Sequence, residues 1–513
     1  MNALPTLAAA LKKHHNSLLA LLGSLSLLLY YFLSQQSPSP GAASINTTLN
    51  QFFVILALLF ALLLGAVTVV RASLPQKNTL RLSLFIIFAG AFLFRMVLVG
   101  QSPWLSNDIF RYLWDGRLLD HGINPYTFPP AADELAQVRD AEIYPNVDHK
   151  NVHSVYPPVL QILFWLGLKT SELFALAPFA GLKLLFVLVD LGLVLVLFRL
   201  LAQMKIDPRW AILYAWHPLP IIEIAGSGHT DGLGAFTLIL MTAFFLRQRF
   251  SLAAVFLALG FLIKFLTVMF LPFLAVAAWQ EGGLKKAAST IAIFTLVILV
   301  CYAPFVMAGE NLYAGLLVYS EKWRFNDSLF SLVFTPVHWL LPDELVKFLM
   351  IPAHWEISPQ VYVTRRIDLA LIIAKLIVGA LFLFVYLRLL LRGIKSKILP
   401  QAAGHWFAIL IIILAAFFLL SPTLQPWYLL WLLPLLCFKE GIPANASSST
   451  LILSLWILSA TVFLSYNVLA NYLPSGLWHE PLWVRWVEYG IPCGVWLWAM
   501  RRSGMASTRF RRL

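Results

Sequence analysis

SLAAVFLALGFLIKFLTVMFLPFLAVAA (251–278) carries a single charge, Lys264. As one helix it would be about 42 Å long at 1.5 Å per residue, against a bilayer hydrocarbon core of roughly 30 Å. Arg247 and Arg249 precede it, and Lys285 and Lys286 follow it. Basic residues in short loops resist translocation, so both flanks belong on the cytoplasmic side and the stretch crosses an even number of times. It reads as a hairpin whose arms, about 20 Å each, fall short of the core, with Lys264 near the tip. A lysine at that depth is costly unless an anion or a water-filled cavity meets it. The alternative is a kinked helix from which Lys264 snorkels to the interface.

The rest of the chain has the same character. Of 513 residues, 60% are apolar and 12% are charged, about half of the charged share usual for soluble domains. Too few polar side chains are present to cover a soluble surface, and the apolar content excludes disorder. Apolar runs fall at 17–34, 52–70, 80–99, 156–175, 179–200, 210–226, 231–246, 251–278, 287–307, 367–391, 405–421, 426–438, 450–468 and 481–500. The fold expected is an all-α polytopic membrane protein with about 13–14 transmembrane or re-entrant helices. The net charge of +13 gathers at helix ends, as cytoplasmic loops require, and does not call for nucleic acid. Cys301, Cys437 and Cys493 lie within or beside apolar runs without metal-ligand spacing, and read as packing residues.

The same charge rule orients the whole chain. Lys12 and Lys13 hold the N-terminus inside, and the first run reads as a retained anchor in preference to a signal peptide. The uncharged loop 35–51 goes outside, and Arg71, Lys77 and Arg81 return the chain inside. Arg199, Lys205, Arg209, Arg392, Lys395, Lys397, Lys439, Arg501, Arg502, Arg509, Arg511 and Arg512 mark further inside positions, including the C-terminus. The loops 100–155, 226–232, 308–366, 421–426 and 469–481 are then external. This scheme leaves two runs, 156–175 and 179–200, where an odd number of crossings is needed; one of them does not fully cross.

The unusual polar residues collect on the outer side. Loop 100–155 holds Asp108, Asp115, Asp120, Asp133, Glu134, Asp140, Glu142 and Asp148, a third of the 24 acids. Within NDIFRYLWDGRLLDHGINPYTFPP (107–130), a helical period puts Asp108, Arg111, Tyr112 and Asp115 on one face of an interfacial helix. The acids at 133–148 read as a solvated loop. In HPLPIIEIAGSGHTD (217–231), Pro218 and Pro220 break the helix and Glu223, His229 and Asp231 reach membrane depth; Asp231 also reads as a helix cap. EKWRFNDS (321–328) offers Arg324 to phosphate, and SPTLQPWYLLW (421–431) sets Gln425, Trp427 and Tyr428 at the boundary. Together these describe one outward cavity with carboxylates suited to general-base work, cations suited to a phosphate leaving group, and aromatics suited to a sugar ring. The chain has no Walker loop, Rossmann fingerprint or zinc spacing.

NDIFRYLWDGRLLDHGINPYTF, VYPPVLQILF (155–164), GSGHTDGLGAF (226–236), LIKFLTVMFLPF (262–273) and QPWYLLW (425–431) together resemble membrane glycosyltransferases of C-type fold, nearest to the bacterial polyprenyl-phosphate-mannose-dependent mannosyltransferases. The resemblance covers roughly residues 80–440. It divides the chain into two N-terminal helices (1–79), a catalytic core (80–440) and C-terminal helices with a basic tail (441–513). It implies inverting transfer of a hexose from a polyprenyl-phosphate sugar to a hydroxyl of a glycolipid or polysaccharide acceptor, in the bacterial inner membrane with the site facing the periplasm. Asp108 matches the family's catalytic base. Lys264, Arg324 and Arg111 are assigned to the donor phosphate, and Asp115, Tyr156, Glu223, His229, Asp231 and Gln425 to sugar or acceptor. The family's acidic pair is incomplete, since Asn107 precedes Asp108, which disfavours a divalent metal; no cofactor is expected. The rival readings are a transporter of a sugar or lipid-linked substrate, which would also explain Lys264 and Glu223 in broken helices, and a polysaccharide polymerase or ligase of similar architecture.

Overall fold

The computed structural model describes residues 13–37, 42–73, 77–351, 358–396, 403–442 and 446–510. Lys12, Lys397, Arg511 and Arg512, which carry part of the orientation argument, lie outside these residues. The protein is an all-α polytopic membrane protein. Eight helices among the described residues are long and apolar enough to cross a membrane, and four shorter apolar helices accompany them.

Of the first three helices, α1 (His15–Ser34), α2 (Ala42–Ala72) and α3 (Lys77–Val99), the first packs on both of the others. An amphipathic helix, α4 (Asp108–Asp120), follows, then α5 (Pro158–Leu173) and α6 (Pro178–Gln203). Two contacts fix how α6 runs. Arg95 on α3 pairs with Asp190 at 2.5 Å, and Lys183 donates to the Gln101 carbonyl at 2.6 Å. As the number rises along α3 it falls along α6, so the two are antiparallel. The end of α3, the start of α4 and the start of α6 therefore share one face of the protein, called here the site face.

This settles which of the two ambiguous runs crosses. The 26 residues of α6 span about 39 Å, but the 16 of α5 span only about 24 Å. α5 packs along α4, so closely that a Cβ on Gly116 would lie 2.7 Å from the Phe164 backbone, and it turns straight into the start of α6. It stays on the site face, opening at Pro158 where the two prolines end the extended entry.

Two crossings are made by broken helices. Residues 209–225 are buried throughout and pass through short turns at Pro208–Ala211, Ile212–Ala215 and Pro218–Pro220 before a π-helical turn at Ile221–Gly226. Irregular backbone is tolerated at membrane depth only where protein encloses it, as here. The pair α7 (Asp231–Leu246) and α8 (Phe250–Phe261) follows. The hairpin expected at 251–278 is present: α8 ends at Phe261, Lys264 is extended, and a 3-10 turn (Phe265–Phe270) leads into α9 (Leu271–Tyr302). α9 is itself broken at Gly282 and Gly283, beside Lys285 and Lys286.

The chain then forms α10 (Asn311–Lys322), α11 (Leu329–Leu340), α12 (Asp343–Met350), α13 (Pro359–Lys395), α14 (Ala403–Leu420), α15 (Ala446–Thr461) and α16 (Leu482–Phe510). Residues Pro426–Leu436 return from the site face as a 3-10 turn and a short helix. Among the described residues the extended pairing is a lone bridge between Phe325 and Thr423. One continuous apolar core runs from Leu19 to Leu469, and a satellite core joins α11, α12 and α13.

Candidate active site

The loops of the site face bring the polar residues together around Asp108, the first residue of α4. Its amide donates to Ser106 Oγ at 3.3 Å, and its carboxylate Oδ2 lies 3.7 Å from His229 Nε2. The side chain is 41% accessible, so it lines an open recess while protein walls it in. That burial raises its pKa above the ordinary carboxylate value, against the pull of His229; Asp148, Lys264 and Asp231 are also close enough to act on it. Asp148 belongs to the stretch 133–148 that sequence reasoning assigned to a solvated loop; the fold instead returns it to Asp108.

His229 sits where the π-helical turn ends. The wider turn lets the Ser227 amide reach the Ile222 carbonyl at 2.8 Å, and the His229 amide the Glu223 carbonyl at 2.8 Å. Gly228 adopts φ +80°, and a Cβ there would meet Ile109 Cδ1 at 2.5 Å, so glycine is required on both counts. The imidazole is fully buried, faces Glu223 Oε2 through Nδ1 at 2.9 Å and Ser106 Oγ through Nε2 at 3.2 Å. The indole of Trp427 stacks on it at 3.6 Å between ring centres.

Asp231 opens α7 but makes no side-chain cap, contrary to one reading of its position. Its Oδ1 instead accepts from Lys264 Nζ at 2.6 Å and from the Trp431 indole at 2.8 Å. Lys264 also lies 3.8 Å above the Tyr428 ring, a cation–π contact. The Tyr428 hydroxyl meets that of Tyr319 at 2.5 Å. Burial pushes the Tyr319 phenol up to about 12, so it remains a hydrogen-bond donor at neutral pH. Lys264 has three N–H donors and one acceptor here, which leaves it capacity for a ligand oxygen.

Tyr156 reaches the same recess. Its ring packs edge-on to Tyr112 at 4.9 Å, and Tyr112 stacks on Phe164 at 4.7 Å. Its backbone carbonyl accepts from Tyr126 at 2.5 Å and Gln161 at 3.1 Å. Burial and the charge of Asp108 hold the Tyr156 phenol well above its ordinary pKa. Gln425, half-buried, begins the turn Pro426–Trp431, its carbonyl accepting from the Tyr428 amide at 3.0 Å.

Four of the sequence candidates are placed otherwise. Glu223 is fully buried behind His229 and accepts from Tyr466 Oη at 2.9 and 3.0 Å, so a sugar cannot touch it. Asp115 is likewise enclosed: Arg111 Nε donates to it at 2.9 Å, Ser154 Oγ at 2.5 Å and Gln161 at 3.4 Å. The helical spacing that put Asp115 on the face of Asp108 turned it one step further inward, towards α5. Arg111 is thereby committed to Asp115 and retains a buried Nη2 without a hydrogen-bond partner. Arg324 pairs with Asp327 at 2.6 Å and covers the Phe334 ring at 3.9 Å.

Sequence reasoning did not reach Ser106, Tyr319, Trp431 or Tyr466 as site residues. Tyr466 and Tyr319 lie far along the chain in apolar or aromatic surroundings that carry no motif. Trp431 lies within QPWYLLW, where the spacing of Trp427, Tyr428 and Trp431 on one turn was the available signal. Among the described residues no three His, Cys, Asp or Glu side chains are grouped as metal ligands.

Apolar helices long enough to cross a membrane that enclose a recess of carboxylate, imidazole, lysine and aromatic rings define an integral membrane protein with a polar recess at one face. The chain belongs to the alpha-(1->6)-mannopyranosyltransferase family: the model of that family's N-terminal domain matches residues 16–280, just over half of the 513. No curated protein matches the chain. It is accordingly a membrane glycosyltransferase of a mannosyl-transferring family.

Proposed function

We propose that the protein transfers a hexose, mannose favoured, from a polyprenyl-phosphate sugar to a hydroxyl of a glycolipid or polysaccharide, with inversion, and that Asp108 is the general base. The observation that carries this reading is the position of Asp108: open to the recess on one side, beside His229 at 3.7 Å, and within electrostatic reach of Lys264. The acceptor oxygen attacks the anomeric carbon as its proton passes to Asp108. The bond from that carbon to the phosphate oxygen breaks, and the phosphate leaves with the electron pair. Base and leaving group act from opposite faces of the sugar, so no covalent glycosyl-enzyme forms, by the logic of inverting hydrolases. Lys264 takes up the charge that develops on the phosphate. Its pairing with Asp231 keeps it oriented between donors.

The extracytoplasmic placement of the site is supported by the opposite end of the bundle. There Arg209 binds Ser73, Lys439 covers Trp210 and Gln280 reaches the Gly393 carbonyl, among a concentration of arginine and lysine. The same asymmetry supports cytoplasmic termini, and the resemblance to bacterial mannosyltransferases supports the bacterial inner membrane. The core is assigned to 80–440 with 1–79 and 441–513 as flanking helices, the second flank lending Tyr466 to the site. The enclosure of Glu223 behind His229 favours an enzyme over a transporter, which would need Glu223 and Lys264 along one path.

The test uses membranes from cells that express the protein, supplied with a panel of polyprenyl-phosphate sugars, with mass spectrometry of the glycolipids. Wild type is expected to form a mannosylated product and Asp108→Asn to form none. Equal product from both removes Asp108 as the base; no product from either removes the donor class.

A further inference from the structure

Behind Asp108 stands a line of side chains that base catalysis by a single carboxylate does not use. Tyr466 donates to Glu223, Glu223 faces His229 Nδ1, and His229 Nε2 faces Ser106 Oγ and Asp108 Oδ2. Glu223 holds His229 twice, by its carbonyl to the amide at 2.8 Å and by its carboxylate to the ring at 2.9 Å. Trp427 lies flat on the imidazole and prevents it from tilting. Burying a carboxylate and an imidazole to this degree is costly unless each is paired. A histidine that served only to fill the core would need no acidic partner at each ring nitrogen. A carboxylate on Nδ1 fixes the tautomer: the Nδ1–H is donated to it, and Nε2 is left to take a proton.

The geometry points to Glu223 and His229 as a proton-holding pair for Asp108, in which His229 accepts the proton that Asp108 draws from the acceptor and Glu223 balances the imidazolium. This rests on Asp108 as the base. The acceptor O–H bond breaks and its proton moves to Asp108 Oδ2. From there it passes to Nε2, either directly as the 3.7 Å gap closes or through the Ser106 hydroxyl, which takes one proton and gives up another. Loss of the proton to solvent in the recess resets the site.

In this arrangement His229 and Glu223 are positioning residues, since both act through Asp108. The charged groups that bear on Asp108 besides His229 are the carboxylates Asp231 and Asp148 and the ammonium of Lys264. The phenols of Tyr112, Tyr156, Tyr319 and Tyr428 also face this centre and titrate outside the working range. Tyr466 faces Glu223 from the far side. Of these only His229, with Glu223 behind it, turns a ring nitrogen towards Asp108; burial lowers its pKa to about 4, and the charges of Asp108 and Asp231 oppose that fall, so the imidazole stands neutral and ready to take a proton from Asp108. Loss of the pair leaves Asp108 with the burial that raises its pKa and without the neighbour that lowers it.

The experiment measures kcat and kcat/KM against pH for the full-length protein in detergent, with a polyprenyl-phosphate mannose as donor. The variants are Glu223→Gln, His229→Gln, His229→Ala, Tyr466→Phe and Asp108→Asn. His229→Gln keeps an N–H near the position of Nε2 but cannot carry a proton. Glu223→Gln and His229→Gln are expected to lower kcat about 100-fold, the lower range for a proton-transfer group, with donor KM changed less than about threefold. Their acid limbs are expected to move up by about one pH unit, with a smaller shift of the same sign for Tyr466→Phe. If His229→Gln works like wild type with an unmoved acid limb while His229→Ala fails, His229 is a spacer and the proposal falls. If Asp108→Asn is inactive but the profile of Glu223→Gln overlies wild type, the pair falls and the base assignment stands. If Asp108→Asn stays active, both fall together. Tyr466→Phe retains the ring that fills its site, so it decides the matter if Glu223→Gln does not fold.

Discussion

Asp108 carries its charge where the surrounding protein opposes it. Burial raises its pKa above the ordinary 3.8, and the sign of that shift has a consequence for stability. An acid whose folded pKa is raised contributes stability that is complete below its unfolded pKa and is lost as the pH climbs through the folded one. At neutral pH the ionised carboxylate therefore subtracts from stability. Asp108→Asn is expected to melt at the same temperature as wild type or higher at pH 7, with the difference gone below about pH 4. Thermal unfolding in detergent at the two pH values checks this, and a lower melting temperature at pH 7 would give the carboxylate a structural role. At this scale the sequence made Asp108, His229, Asp231 and Lys264 legible because an ionisable group at membrane depth needs a reason. It did not separate those four from Glu223 and Asp115. All six are ionisable groups in the sequence, and only the fold shows that Glu223 and Asp115 spend their oxygens on Tyr466, Arg111, Ser154 and Gln161 away from the recess.

At the scale of elements, the protein trades regular helices for broken ones wherever the site needs backbone. The π-helical turn that delivers His229, the extended Lys264 between α8 and α9, and the 3-10 turn that presents Trp427 and Tyr428 all interrupt apolar stretches that hydropathy alone reads as continuous. Pro218 and Pro220 announced the first of these breaks and the length argument the second; the third, which opens at Pro426, was not read from the sequence. The course of α5 was not legible, because an apolar helix of 16 residues has the composition of a short crossing, and its partner is another helix and not lipid. Antiparallel packing of α3 and α6 leaves α5 no membrane to cross. The exposed turn at Ala175 should therefore share a side with the loop at Asp133. In a background without Cys301, Cys437 and Cys493, cysteines at Ala175 and at Asp133 are expected to react with an impermeant maleimide from the same side of sealed vesicles. Reaction from opposite sides would make α5 a true span and would overturn the packing described.

At the scale of the whole molecule, the last helix is tied to the site face across most of the chain. Residues 323–327 run between two partners. On one side the Phe325 amide donates to the Pro422 carbonyl at 3.1 Å, and the Leu424 amide to the Phe325 carbonyl at 2.9 Å. On the other, Arg485 on α16 binds Asp327 at 2.7 Å and Glu480 at 2.6 Å, and Asn326 donates to Glu488 at 2.6 Å. Asp327 is fully buried and receives Arg324 as well. Removal of one partner from a buried charge costs more than the pair contributes, since the remaining charge stays desolvated. Asp327 keeps Arg324 when Arg485 is lost, so the expected result is local loosening and not collapse. Arg485→Ala should raise amide hydrogen exchange across 323–328 by about tenfold or more, which corresponds to about 1.4 kcal/mol or more of lost local stability. Exchange in α4 and around His229 should be unchanged, because the bonds that hold Asp108, His229 and Glu223 do not pass through α16. If α4 loosens together with 323–328, the two regions open as one cooperative unit, and the site depends on the C-terminal helix.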